Sequence, residues 1–152
     1  LLEILGIGRI GDRKQRPHGE FIQEYEWQTL HRFVKGCLKN KHDPDVLITH
    51  DQPADSQSGY GAEEIASVLD QLAFTYHFYG HTGEAYQNNF ADNGITRSVK
   101  IKELEFDGEG KLSEDCMLIL EVEQKKGDKL FTLSPVPLNE IIHFMRDTWR
   151  YC

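Results

Sequence analysis

Cysteine is scarce in this sequence. Three occur, at positions 37, 116 and 152, far apart and with no Cys-x-x-Cys pair. That number and spacing argue against a disulfide framework and make a reducing cytoplasm the expected compartment. Long apolar runs are missing too: no stretch of 18 apolar residues occurs, so neither a membrane-spanning helix nor a membrane partner is expected. Positive charge is in short supply, with 17 Lys and Arg against 25 Asp and Glu and a net charge of -8. The deficit sits beyond residue 60, where 9 basic residues face 16 acids. A phosphate backbone wants a basic footprint, which argues against nucleic acid as the main partner. A metal ion can still bridge an acidic protein to a phosphate.

What remains suits one folded domain. The chain has 152 residues, 39% hydrophobic and 28% charged, enough apolar material for a core and no disordered composition. No internal repeat, low-complexity tract or clear domain boundary interrupts it, so residues 1–152 read as a single domain.

The first half alternates in type. "LLEILGIG" (1–8) is a short apolar strand, and "RIGDRKQRPHG" (9–19) a charged loop. From Gly19 to Lys39, Phe21, Ile22, Tyr25, Leu30, Phe33, Val34, Cys37 and Leu38 recur at helical spacing. Acids lie near the start of that stretch and lysines near its end, as the helix dipole prefers. "DVLITH" (45–50) is a nearly continuous apolar run, the pattern of a strand buried on both faces in a parallel sheet. A loop over 51–61 leads to a second helix marked by Ala62, Ile65, Ala66, Leu69 and Leu72, then an aromatic strand "FTYHFYG" (74–80). Strand, helix, strand in this span is a βαβ unit. The second half reads as strands over 97–107, 115–124 and 129–133, joined by hairpin connections "DGEGK" (107–111) and "KKGDK" (125–129). A terminal helix places Leu138, Ile141, Ile142, Met145 and Trp149 on one face.

Chemistry is expected where the two middle strands end. "LITH" ends at His50 and "FYGH" at His81. In a βαβ unit both strands run the same way, so both ends lie on one edge, roughly 5 Å apart if adjacent. Two imidazoles projecting from those ends can reach one ion at about 2.0–2.2 Å each. The carboxyl edge of parallel strands is also where open α/β folds place ligands. On spacing alone, an accidental placement of two of the seven histidines is the commoner outcome.

The residues around the pair carry more. "DVLITHDQP" and "FYGHTGE" resemble two blocks of the calcineurin-like metallophosphoesterases: a hydrophobic strand ending in Thr/Ser-His with a nearby proline, and a later strand ending in Gly-His-x-His. Thr49-His50 with Pro53 matches the first, and Gly80-His81 the first half of the second. The resemblance covers residues 1 to about 107. It implies an α/β (α+β) chain forming one half of a four-layer αββα sandwich, a mixed sheet flanked by helices. It implies a hydrolase of phosphate mono- or diesters using two divalent ions, manganese, iron or zinc, with His50 and His81 as ligands of the second. A phosphate-ester small molecule or phosphorylated substrate would be the partner. Two departures stand out. The family's last histidine falls at Gly83, which cannot ligate, and the preceding Asp-x-His, Gly-Asp and Gly-Asn-His blocks have no counterpart. The chain is therefore expected to be the C-terminal half of such a domain, inactive alone and partnered by the N-terminal half. The rival expectation is a non-catalytic α/β scaffold for protein contacts that retains a degenerate edge.

Other signals are weaker. Asp51 could orient His50 through a hydrogen bond, but such a residue is more often a loop cap. His77 shares a strand face with Tyr79 and His81 and is a candidate outer-shell group; His18, His31, His42 and His143 show no ligand spacing. "GIGRIG" (6–11) matches a dinucleotide fingerprint in letters, yet a charged loop follows it where a helix is required. "RKQRPH" (13–18) could meet a substrate phosphate but reads first as a solvated loop. Phe74, Tyr76, Phe78 and Tyr79 read as strand packing rather than a base-stacking surface, and Cys37 as core.

Overall fold

In the computed structural model, the structure describes residues 1–12, 14, 16–55, 60–81, 86–102 and 115–141. The chain divides into two compact units, residues 1–83 with 87–100 and residues 84–86 with 101–152.

The first unit is a mixed sheet backed by helices. Its elements are β1 (Ile4–Ile7), α1 (Glu24–Asn40), β2 (Val46–Thr49), α2 (Glu63–Gln71), β3 (Tyr76–Tyr79), β4 (Gln87–Phe90) and β5 (Arg97–Lys100). The strand order is β1-β2-β3-β5-β4. β1, β2, β3 and β5 are parallel, and β4 closes the edge antiparallel to β5. Leu5, Leu47, His77 and Ser98 form one row across the sheet. Leu47 on that face joins Val34 and Cys37 of α1 and Ile65, Val68 and Leu69 of α2 in a single cluster, with Leu5, Ile7, Ile22 and Leu30 packed against it. The expected βαβ unit is present, and Cys37 is core.

The parallel-strand reading of "DVLITH" holds with one exception. Val46, Leu47 and Thr49 are buried, but Ile48 is 46% exposed. Ile48 and Ile4 point to the face opposite the α1–α2 cluster, where Phe78 and Val99 are buried further along the sheet.

Helix α1 starts later than the apolar spacing predicts. Ile10 pairs with Phe21, its N–H donating to the Glu20 carbonyl and its carbonyl accepting from Ile22, so residues 20–22 are drawn into an extended bridge. The helix then begins behind Gln23, whose backbone N–H is capped by the Glu26 carboxylate at 2.9 Å. Lys41 ends it in a left-handed conformation. No helix begins within residues 6–11, which removes the dinucleotide reading.

Strand β4 was not foreseen. "QNNF" has no apolar alternation and all four residues are exposed. It forms because β5 offers it a free edge, and Arg97 lies over the ring of the opposite Phe90. The connection is tied by Asn93, whose Oδ1 accepts from the N–H groups of Ile95 and Thr96 and whose Nδ2 donates to the Leu69 carbonyl.

The second unit contains the hairpin β6 (Leu118–Lys125) and β7 (Asp128–Pro135). Lys126 and Gly127 both have positive φ, the turn that matches strand twist. Among the described residues the expected three-strand meander is not seen. The described start of the segment read from residue 97 is β5 of the first sheet, and among the described residues β6 and β7 pair only with each other. "DGEGK" lies outside the described residues. So do Ile142, Met145 and Trp149; of that expected helix, residues 138–141 are helical and Ile141 is buried. Among the described residues no helix is long and apolar enough to cross a membrane.

Candidate functional site

The carboxyl ends of β2 and β3 stand side by side, as the parallel pairing of Val46–Ile48 with Tyr76–Phe78 requires. His50 and His81 follow those ends. Both are exposed, and their rings are in contact, 4.5 Å between centroids and tilted by 48°. The His50 N–H donates to the Ile7 carbonyl at 2.9 Å, which continues the β1–β2 ladder up to the candidate ligand. His81 has φ of 73°, in the left-handed region. That conformation costs an L-residue roughly 1–2 kcal/mol and is retained only where the surroundings impose it.

The loops around His50 are closed by backbone bonds. Gln52 and Ala54 pair with Ala62, so both ends of the 51–61 loop are held. Gly61 makes this possible: its φ is 92°, and a Cβ there would lie 2.4 Å from the Pro53 carbonyl oxygen. Asp51 is buried, and its carboxylate accepts from Gly11 N–H at 3.0 Å and Gln52 N–H at 2.8 Å. It thus caps its own loop and fastens the β1 exit loop to it, and both oxygens are engaged with backbone rather than with His50.

His77 lies deeper. It is fully buried at the centre of the sheet, its Nε2 2.8 Å from Thr49 Oγ1 and its Nδ1 3.1 Å from Ser98 Oγ, and its ring stacks on Tyr79. Burial pushes its pKa down from 6.5 to about 3, so the ring is neutral near neutral pH. Its ring nitrogens are turned to Thr49 and Ser98, not to His50 or His81. Tyr76 stacks on Phe78, and Phe74 is buried, so the aromatic run packs as expected.

The basic loop is internally satisfied where it is described. Arg16 donates to Asp12 from Nε at 2.9 Å and lies over the Phe21 ring, and this guanidinium holds the Asp12 carboxyl down at about 2. Arg9 pairs with Glu26 at 3.2 Å. A groove of about 570 Å³ opens between the first turns of α1 and α2, and neither His50 nor His81 lines it. Its lining sets the carboxylates Glu24, Glu63 and Glu64 against the one guanidinium of Arg16, a net negative setting and a poor one for a phosphate.

The donor set decides what the edge can hold. Two imidazoles at this separation suit two positions on one ion, whose bonds to nitrogen are about 2.0–2.1 Å. Among the described residues no group of three or more His, Cys, Asp or Glu is disposed to hold a metal. These residues therefore fit a two-ligand contribution to one ion and do not by themselves fit a dinuclear centre. Gly83 lies outside the described residues. Thr49 is legible in the sequence only as part of the Thr49-His50 block, and Ser98 not at all, because a hydroxyl inside an apolar strand gives no spacing signal. Lys100, buried at the end of β5 on the same edge, lies inside a segment that the sequence groups with the later hairpin strands.

Compared with known proteins, the chain matches no family model and no curated protein.

Proposed function

We propose that this chain is the C-terminal portion of a metal-dependent phosphoesterase of the calcineurin-like type, and that His50 and His81 supply two ligands to one of its divalent ions. One observation carries the reading: two exposed imidazoles in ring contact at the carboxyl edge of adjacent parallel strands, one of them on a strained backbone. Lys41 and Lys126 take positive φ in a helix cap and a hairpin turn, whereas His81 takes it at the carboxyl edge, where such strained residues cluster at active sites. A divalent ion bound there would act as a Lewis acid toward a phosphoryl oxygen and lower the pKa of a bound water. Imidazole donors favour manganese, iron or zinc over calcium. The chain's own residues hold the two rings together and fix the loop between them. The remaining ligands would come from the N-terminal half.

The test is to read the coding sequence ahead of Leu1 and then assay the protein it encodes. Asp-x-His and Gly-Asn-His blocks upstream, with manganese-dependent hydrolysis of an aryl phosphodiester that His81→Ala abolishes, is the expected result. Absence of those blocks, or turnover unchanged in His81→Ala, defeats the proposal. A two-ligand donor set favours the second reading, a non-catalytic scaffold, if that assay shows no hydrolysis.

A further inference from the structure

The buried polar groups beneath the histidine pair have a definite direction. The Thr49 hydroxyl carries one hydrogen, and its Oγ1 lies 2.6 Å from the Asp51 carbonyl oxygen, which can only accept. That hydrogen is therefore spent on Asp51. The 2.8 Å contact between Thr49 Oγ1 and His77 Nε2 must then be donated by the imidazole. Because His77 is neutral, its Nδ1 is bare and accepts the Ser98 hydroxyl hydrogen at 3.1 Å. A single relay results: Ser98 donates to His77, His77 donates to Thr49, and Thr49 donates to the Asp51 carbonyl. It crosses β5, β3 and β2 just below the edge and ends on the Asp51 carbonyl, one residue beyond His50.

We infer that His77 is a positioning residue for the His50–His81 pair, acting through Thr49. The corner at His50 and Asp51 is fixed by three ties: the His50 N–H on the Ile7 carbonyl, the Asp51 carbonyl on Thr49, and the Asp51 carboxylate on Gly11 and Gln52. Only the middle tie passes through the sheet to the strand that carries His81. On that strand His77 is stacked face to face with Tyr79, two residues before His81. One buried ring is thus bonded to the corner that presents His50 and packed against the segment that presents His81. A leucine would fill the space, but it could not orient the Thr49 hydroxyl. Glutamine offers an N–H to Thr49 and a carbonyl oxygen to Ser98 and should preserve the relay.

The inference rests on the metal-ligand reading of His50 and His81, and its test separates the two. In the metal-free chain, rings with centroids 4.5 Å apart give inter-ring proton cross-relaxation between His50 and His81. That signal should survive in His77→Gln and Thr49→Ser, and be lost or strongly weakened in His77→Leu and Thr49→Val, at a temperature where each variant is folded. Zinc affinity of the chain should fall about tenfold or more in the last two, in line with losses seen when outer groups of a metal site are removed. An unchanged inter-ring signal in folded Thr49→Val overturns the inference, and that variant serves even if His77→Leu does not fold. If the variants behave as described but the unmodified chain takes up no zinc, the positioning role stands and the phosphoesterase reading falls.

Discussion

Replacing His77 with Gln should flatten the acid side of the stability profile. In the folded chain His77 resists protonation until about pH 3, whereas the unfolded chain takes the proton near 6.5. Below 6.5 the unfolded state therefore binds more protons, and stability rises with pH across this window. The stabilisation is complete above about pH 6.5 and is lost progressively as the solution is acidified toward pH 3. Each unit of difference is worth about 1.4 kcal/mol, so this one ring removes about 2 kcal/mol by about pH 5 and about 5 kcal/mol in full. His77→Gln keeps a neutral group bonded to both hydroxyls and cannot titrate. Urea unfolding at about pH 7 and about pH 5, followed at the β2 and β3 amides, should show the unmodified chain losing about 2 kcal/mol more than the variant over that interval. The other titrating groups are common to both proteins and cancel in the difference, which leaves His77. Equal losses in the two proteins would refute the assignment of a buried neutral imidazole.

Three further outcomes are expected. His81→Gly should be more stable than His81→Ala by about 1 kcal/mol, because only glycine relieves a φ of 73°; thermal melts in which alanine equals glycine would show that no strain is held there. Gly61→Ala should cost about 2 kcal/mol or more, since its Cβ would meet the Pro53 carbonyl at 2.4 Å and the backbone would sit at unfavourable φ; denaturant midpoints measure it. Removing the guanidinium in Arg16→Ala should let the Asp12 carboxyl rise from about 2 toward its ordinary 3.8, read from carboxyl-carbon shifts during an acid titration.

The histidine edge was legible because it depends on few things. Apolar runs of strand length, a helix between them and a histidine at each end are enough to bring His50 and His81 to one edge. What escaped was set by tertiary bonds. The spacing from Gly19 onward is helical, but Ile10 captures residues 20–22 in an extended bridge before the helix can start. β4 is strand-like only because β5 presents an open edge; its Asn and Gln carry no such preference. The segment at residue 97 was grouped with the later strands by neighbourhood in sequence, whereas its partner is β3. The buried relay was invisible for the same reason: Thr49, His77 and Ser98 are separated in sequence and meet only because β2, β3 and β5 are neighbours. Asp51 was legible as a loop cap, though not the identity of Gly11 as one of its donors.

The most direct measurement of the central claim is a zinc titration of the chain followed at the imidazole nitrogens of all seven histidines. The resonances of His50 and His81 should shift together and saturate at one ion per chain, and the ring that remains should fail to respond in His50→Ala and in His81→Ala. Separate midpoints for the two rings, or uptake at His18, His31 or His42 with this pair silent, would contradict a shared site.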